Sequence, residues 1–435
     1  MDGLKKYFEF DRLGTNFKTE SLAGLTTFLA MAYILFVNPN VLSASGMPKE
    51  AVFTATALAA ALATLTMGLY AKLPIALAPG MGLNAFFAYT VCVVWEIPWQ
   101  TALAGVLVSG FLMMMLSVSG LREIIINAIP SELKQAVGAG IGLFICLVGL
   151  KNAGIVVANP DTIISLGDFS NPEVLLAIFG LVITIFMLVR NIYAAVFFGM
   201  VITSIIGMFF GIIPLPDRIV DAVPSLNPIV GEAIWALKDV FTPTMLVVIA
   251  TYLFMDFFDT AGTLMAVTRQ AGLVKEDDKI PNVDKALISD SSATIVGSVL
   301  GTSSTTSYVE STAGVAVGGR SGFTAVVVGL LFIFSLFFSP LLGVVTNAVT
   351  APALIVVGIL MCRSLQGIAW WRMEVAAPVF FAMVMMPFTY SIATGIACGF
   401  ILYPICHWLT GKGRTVHPIM WFLAFVFLLY FIFLV

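Results

Sequence analysis

Charge is what this 435-residue sequence has least of: Asp, Glu, Lys and Arg make up 10% of it, against about 25% in soluble globular domains. That shortage excludes an ordinary water-soluble fold. Histidine is nearly absent, with only His407 and His417. Both fall near the end of the apolar region and read as interfacial residues rather than proton relays. The five cysteines, Cys92, Cys146, Cys362, Cys398 and Cys406, are scattered through or beside apolar runs. Neither disulfide nor metal-ligand spacing appears, so they read as small core residues. With no nucleophile–base pair and no ligand cluster, an enzyme is not expected, and neither metal nor cofactor is expected. No basic cluster favours nucleic acid. The alternating ten-residue strands of a membrane barrel are missing. So is a cleavable leader, because MDGLKKYFEFDRLGTNFKTE is charged and has no early apolar core.

What is abundant is hydrophobic sequence, 60% of the chain with a mean hydropathy of +1.04. Runs near 20 apolar residues suit helices crossing about 30 Å of hydrocarbon, which makes this an all-α integral membrane protein. Spans are expected near 21–40, 51–70, 77–93, 98–119, 132–151, 172–190 and 192–213. After a hydrophilic connector, a second series runs near 243–267, 284–300, 304–317, 322–338, 350–365, 374–388 and 390–409. With a cytoplasmic N-terminus, all of the 21 basic residues except Lys49, Lys151, Arg218 and Lys238 fall on inside segments, as the positive-inside rule requires. Arg122, Lys275 and Lys279 are among those counted inside.

Seven spans, a connector and seven more indicate a duplication, and an odd number per copy forces the two repeats into opposite orientations. The expected organisation is a first seven-span repeat over 1–213, a connector over 214–242, a second repeat over 243–410 and a tail over 411–435. NIYAAVFFGMVITSIIG near the end of the first half echoes FTYSIATGIACGFILYP near the end of the second. Three readings of the apolar stretch 417–435 stay open: an extra span, an interfacial helix, or a sign that two short spans are one.

By the repeat, span 3 should pair with span 10. Span 3 reads LPIALAPGMGLNAFFAYTV, with Pro74, Pro79, Gly80 and Gly82 ahead of Asn84. Span 10 lies within GTSSTTSYVESTAG, which leads through a Ser/Thr run to Glu310. Inside a helix proline costs about 3 kcal/mol and glycine about 1, so each segment is expected to enter as extended backbone and finish as a half-helix. Close packing of small residues is the competing reading of each; matched positions in two repeats favour the broken one. Half-helices meeting at mid-membrane make a place for a polar ligand. Span 8, MLVVIATYLFMDFFDTAGTLMAV, carries Asp256 and Asp259 in an apolar run. Carboxylates at that depth cost roughly 2.5–3.5 kcal/mol, so they are expected to face the protein interior, as ligand groups or as structural acceptors. The sequence supplies no intramembrane Lys or Arg beside them, which makes Glu310, Asp256 and Asp259 candidates for proton coupling.

GMGLNAFFAYTV, MDFFDTAGTL and TSSTTSYVESTAGVAVGGRSG carry a resemblance. With LTTFLAMAYILFVNPNVL, MMPFTYSIATGIACGF and TGKGRTVHPIMW, they make the chain similar to the AzgA-like purine permeases of the nucleobase–ascorbate (nucleobase–cation symporter 2) group. Thr305, Thr306, Tyr308 and Glu310 also match a TTxYxE pattern of the more distant uracil permeases. The resemblance runs nearly end to end. It implies 14 transmembrane segments in two inverted 7-span repeats of the UraA-like kind. A core of spans 1–4 and 8–11 would then move against a gate of spans 5–7 and 12–14. It further implies uptake of hypoxanthine, guanine or adenine with protons across the cytoplasmic membrane, and a homodimer as an assembly to expect.

The residues it points to are Asp256 and Glu310 as base-binding acids, with Asp259 and Asn84 also important. Their neighbours Ala85, Phe86, Thr260, Val309, Ser311 and Thr312 complete the expected substrate site. Carboxylates would accept the N–H groups of a purine while Asn84 and backbone amides serve its acceptors. Phe86, Phe87, Phe257 and Phe258 could form a stacking wall, although 35 phenylalanines make helix or lipid packing the default for each. The rivals are a uracil or xanthine transporter and an anion transporter on the same fold. Two mid-membrane acids argue against the anion.

Overall fold

The computed structural model describes residues 2–119, 129–274 and 280–433. Arg122, Lys275 and Lys279 of the charge count, and the last two residues of the tail, lie outside the described residues. Each expected span coincides with an element. Spans 1 to 7 are Phe17–Ser43, Lys49–Ala71, Met81–Val94, Trp99–Ser119, Ser131–Asn152, Pro172–Val189 and Ala195–Phe209. Spans 8 to 14 are Pro243–Gln270, Val283–Leu300, Ser311–Ala316, Gly322–Gly343, Asn347–Leu365, Met373–Phe388 and Ile392–Leu409. Nine of the described helices are long and apolar enough to cross a membrane by themselves. Helix starts carry the residues that satisfy free backbone N–H groups. Asn16 accepts from Thr19 N–H, Asn171 from Glu173, Thr242 from Met245 and Ser391 from Thr394.

Among the described residues, four short strands interrupt the helices. β1 (Leu77–Pro79) leads into span 3, β2 (Val156–Asn159) and β3 (Ile163–Leu166) form a hairpin between spans 5 and 6, and β4 (Thr305–Ser307) leads into span 10. β1 and β4 pair antiparallel, Leu77 opposite Ser307, Ala78 opposite Thr306 and Pro79 opposite Thr305.

The packing repeats with a shift of seven spans. Span 4 lies on span 9 as span 11 lies on span 2, and span 1 lies on span 11 as span 8 lies on span 4. Span 5 meets span 13 as span 12 meets span 6. Spans 2 and 9, spans 5 and 12, and β1 and β4 each meet their own counterpart. That pattern is what two inverted copies around one pseudo-two-fold axis produce. Two pairs of glycines let backbones touch at these seams. A Cβ on Gly68 or on Gly322 would strike the other's carbonyl oxygen, joining spans 2 and 11, and Gly142 and Gly358 do the same for spans 5 and 12.

Span 1 is anchored by an acid that the sequence reading passed over. Glu20 is fully buried and accepts from Arg320 N–H at 3.0 Å, from Ser321 N–H at 3.3 Å and from the Thr324 hydroxyl at 2.5 Å. It thereby supplies acceptors for the free N–H groups at the start of span 11.

His407, in the last turn of span 14, is 4% exposed, stacks on Tyr403 with ring centroids 4.1 Å apart, and shares a 3.0 Å hydrogen bond with the Tyr403 carbonyl. One helical turn separates the two, so packing within span 14 shields the ring. The five cysteines are half-buried rather than fully buried in the core. His417 is exposed. The stretch after it forms a separate helix, Pro418–Phe433. This helix lies along span 14, with Phe427 against Phe400 of that span and Phe254 of span 8.

Candidate functional site

The crossing of β1 and β4 carries a dense polar network. Extended backbone at this depth needs every N–H and C=O satisfied by protein, and the Ser/Thr run does this. Gly80 N–H donates to the Ser304 carbonyl and Tyr308 N–H to the Ala76 carbonyl, both at 2.9 Å, extending the ladder at both ends. The Thr64 hydroxyl donates to the Leu77 carbonyl at 3.0 Å, and Thr294, its counterpart in the second repeat, does the same for the Thr305 carbonyl at 3.0 Å. Thr64 also accepts from Leu77 N–H at 2.9 Å, and Ser311 accepts from Ala76 N–H at 3.0 Å. Gly301 has φ +97° and turns the chain out of span 9 toward β4, a conformation in which a side chain is strained.

Glu310 follows β4 at the position preceding the half-helix Ser311–Ala316. It is half-buried, and its Oε1 accepts from the Tyr33 hydroxyl at 2.6 Å. Asp259 is exposed, and its charged neighbours are Asp290 and Glu310. Val309, between Glu310 and the strand, is 51% exposed. Asp259, Val309 and Glu310 therefore lie near one another, the first two exposed.

Asp256 is placed differently. It is 2% exposed, and one of its oxygens lies 3.3 Å from the Thr294 hydroxyl of span 9, whose hydrogen it shares with the Thr305 carbonyl. Three residues of helix leave Asp256 and Asp259 about 60° apart around the axis, enough to set one in the seam with span 9 and the other at its edge. Asn84 is fully buried beneath the crossing, donating to the Pro79 carbonyl at 3.4 Å and accepting from the Ser303 hydroxyl. Thr260 shares a 2.9 Å hydrogen bond with Thr306 and donates to Asp290 at 2.6 Å, so the protons run from Thr306 through Thr260 to Asp290. Thr312 donates to the Val309 carbonyl at 2.7 Å. Ala85 is buried, and Phe86 meets Tyr252 and Trp95 edge-on at 5.1 and 6.2 Å. Phe87 and Phe257 are also buried, and Phe258 stacks on Phe254 at 6.4 Å. These rings are engaged in helix packing.

Asp290 is the site residue that the sequence reading missed. It is fully buried on span 9 and accepts from Ser307 N–H at 3.1 Å and Ser307 Oγ at 3.0 Å besides Thr260. The signal was present, because LISDSSATIVG holds an acid inside an apolar run. Tyr33 left no such signal. Asp290→Leu would strip acceptors from Ser307 and Thr260 and is expected to cost at least about 2 kcal/mol. A lowered unfolding temperature of the purified protein, with a smaller drop for Asp290→Asn, is the check.

Spans 3 and 5 and the turn between spans 13 and 14 are joined by side-chain contacts. Asn152 Nδ2 donates to the Tyr89 hydroxyl at 3.0 Å and Thr90 Oγ1 to the Tyr390 carbonyl at 3.2 Å. Lys151 Nζ sits 5.2 Å from the Tyr390 ring centroid.

Among the described residues, no group of three or more His, Cys, Asp or Glu is placed to hold a metal ion. Comparison with known proteins finds a match to the Permease family over residues 18–398. The chain is 56% identical to the guanine/hypoxanthine permease PbuG of Bacillus subtilis, across 99% of this chain and 100% of that one. It is 43% identical to the adenine permease AdeP of Escherichia coli, across 99% and 96%. Among solved structures it is similar to the transmembrane domain of a cyanobacterial bicarbonate transporter, BicA. The TM-score is 0.65 at 14% identity, covering 88% of this chain and 97% of that one. At that identity the likeness is one of fold alone.

Proposed function

We propose that this protein, a multi-pass membrane chain that belongs to the Permease family, takes up purine nucleobases by alternating access, coupled to protons. The observation that carries the reading is the Glu310 carboxylate at the crossing of two broken spans, in a chain similar along its whole length to a guanine/hypoxanthine permease. Glu310 is the primary base-binding group. Asp256 and Asp259 of span 8 and Asn84 of span 3 act with it, and Ala85, Phe86, Thr260, Val309, Ser311 and Thr312 form the surround. A purine edge offers N–H donors that a carboxylate accepts in charge-assisted hydrogen bonds, roughly twice as strong as neutral ones. Glu310, Asp256 and Asp259 are the groups through which protons couple to transport.

Spans 1–4 and 8–11 form the moving core and spans 5–7 and 12–14 the gate. With the N-terminus cytoplasmic and the chain in the cytoplasmic membrane, the joined layer of Tyr89, Asn152 and Tyr390 faces outside. The exposed Asp259 and Val309 face the cytoplasm. The conformation is thus inward-facing, and the outer layer separates when the core moves. An anion substrate fits poorly, because Asp259 and Glu310 already concentrate negative charge there.

Uptake of radiolabelled hypoxanthine by cells expressing the protein tests this. Excess hypoxanthine, guanine or adenine is expected to compete, while uracil, bicarbonate and sulfate leave uptake unchanged. Competition by an inorganic anion but by no purine would reject the reading.

A further inference from the structure

Span 1 is two helices, Phe17–Met31 and Ile34–Ser43, with Ala32 and Tyr33 in the turn between them. That turn carries the Tyr33 ring to the tip of span 10, where it is 1% exposed and its hydroxyl lies 2.6 Å from Glu310 Oε1. No other side chain among the described residues hydrogen-bonds this carboxylate. The second tyrosine at the site, Tyr308, spends its hydroxyl on the Pro79 carbonyl at 2.6 Å and so holds the crossing together instead.

We propose that Tyr33 is a positioning residue for Glu310: it fixes one carboxylate oxygen so that the other is presented to the substrate, and it keeps its hydrogen bond when Glu310 gains or loses a proton. The proposal rests on Glu310 being the substrate carboxylate, as read above. A phenol is suited to the task because it donates to an ionised carboxylate and accepts from a protonated one. A lysine in its place would donate only. The titratable groups facing this pair are Tyr308 of span 10 and Asp259 of span 8, with Asp290 of span 9 beside Asp259. Each of these except Asp259 is engaged by a neighbour of its own: Tyr308 by Pro79, and Asp290 by Thr260 and Ser307. Tyr33 is therefore the group that sets how the Glu310 carboxyl is oriented in both of its protonation states.

The test compares wild type, Tyr33→Phe and Glu310→Gln by initial rates of radiolabelled hypoxanthine uptake from about pH 5 to 8, normalised to protein in the membrane. Tyr33→Phe removes one oxygen and keeps the ring that packs in the turn. It is expected to raise KM roughly tenfold or more, the size of effect of one hydrogen bond to a charged group. Vmax at the optimum should stay within about twofold, and the pH profile should change shape. Wild-type KM and an unchanged pH profile in Tyr33→Phe, with uptake lost in Glu310→Gln, would overturn the role of Tyr33 and leave the site reading intact. Near-normal uptake in Glu310→Gln would instead overturn the site reading itself. Failure of Tyr33→Phe to accumulate in the membrane would assign the hydroxyl to folding and also overturn the proposal.

Discussion

Glu310→Gln is expected to reduce hypoxanthine uptake about 100-fold or more while the protein still reaches the membrane in normal amount. The substitution is nearly isosteric, so the crossing of β1 and β4, held by backbone and hydroxyl bonds that do not involve Glu310, should form as before. What changes is chemistry. One carboxylate oxygen becomes an NH2 group; the Tyr33 hydroxyl can turn to accept from it, but a substrate N–H facing it meets a second donor. Losing a hydrogen bond to a charged group costs about 1.5–3 kcal/mol, and two facing donors add a desolvation penalty. At about 1.4 kcal/mol per factor of ten, that is two orders of magnitude in binding before the loss of a titratable group is counted. Uptake near the wild-type rate, at wild-type abundance, would contradict the assignment. A loss of membrane protein in proportion to uptake would move Glu310 from the site to the scaffold.

Gly322→Val should abolish folded protein outright. A Cβ there would sit against the Gly68 carbonyl and 2.8 Å from the Lys72 Cα. Neither is a side chain that can rotate away, so spans 2 and 11 would have to separate. Overpacking that side chains can absorb costs about 1–3 kcal/mol; here backbone faces backbone, and the seam between the two repeats opens instead. Gly68→Val should behave alike, since its Cβ meets the Gly322 carbonyl at 2.6 Å. Gly343→Ala, at the far end of span 11 with nothing within 4 Å, is the matched control and should leave the folded peak in size-exclusion chromatography unchanged. A normal peak for Gly322→Val would mean that the two spans do not touch as described.

The architecture was legible because the bilayer imposes it locally. Each span must be about 20 apolar residues or carry an explicit break, and charges must stay near the ends, so hydropathy located the apolar helical segments to within a few residues. Prolines and glycines ahead of Asn84 and hydroxyls ahead of Glu310 marked spans 3 and 10 as broken for the same reason: a helix cannot absorb them, and bare backbone in lipid must find partners. Asp256, Asp259 and Glu310 stood out as acids where acids are costly.

How those acids are used depended on packing. Asp256 and Asp259 share a helix face in sequence, yet the seam with span 9 buries the first against Thr294 and leaves the second beside Glu310. Tyr33 is one of ten tyrosines and nothing around it in the chain marks it. Its role exists because the turn in span 1 brings it to a carboxylate 277 positions away. Periodicity and composition report what each segment can be. Which hydroxyl reaches which oxygen across separate spans is set by the pseudo-two-fold packing of the two repeats, and that is a property of the tertiary structure alone.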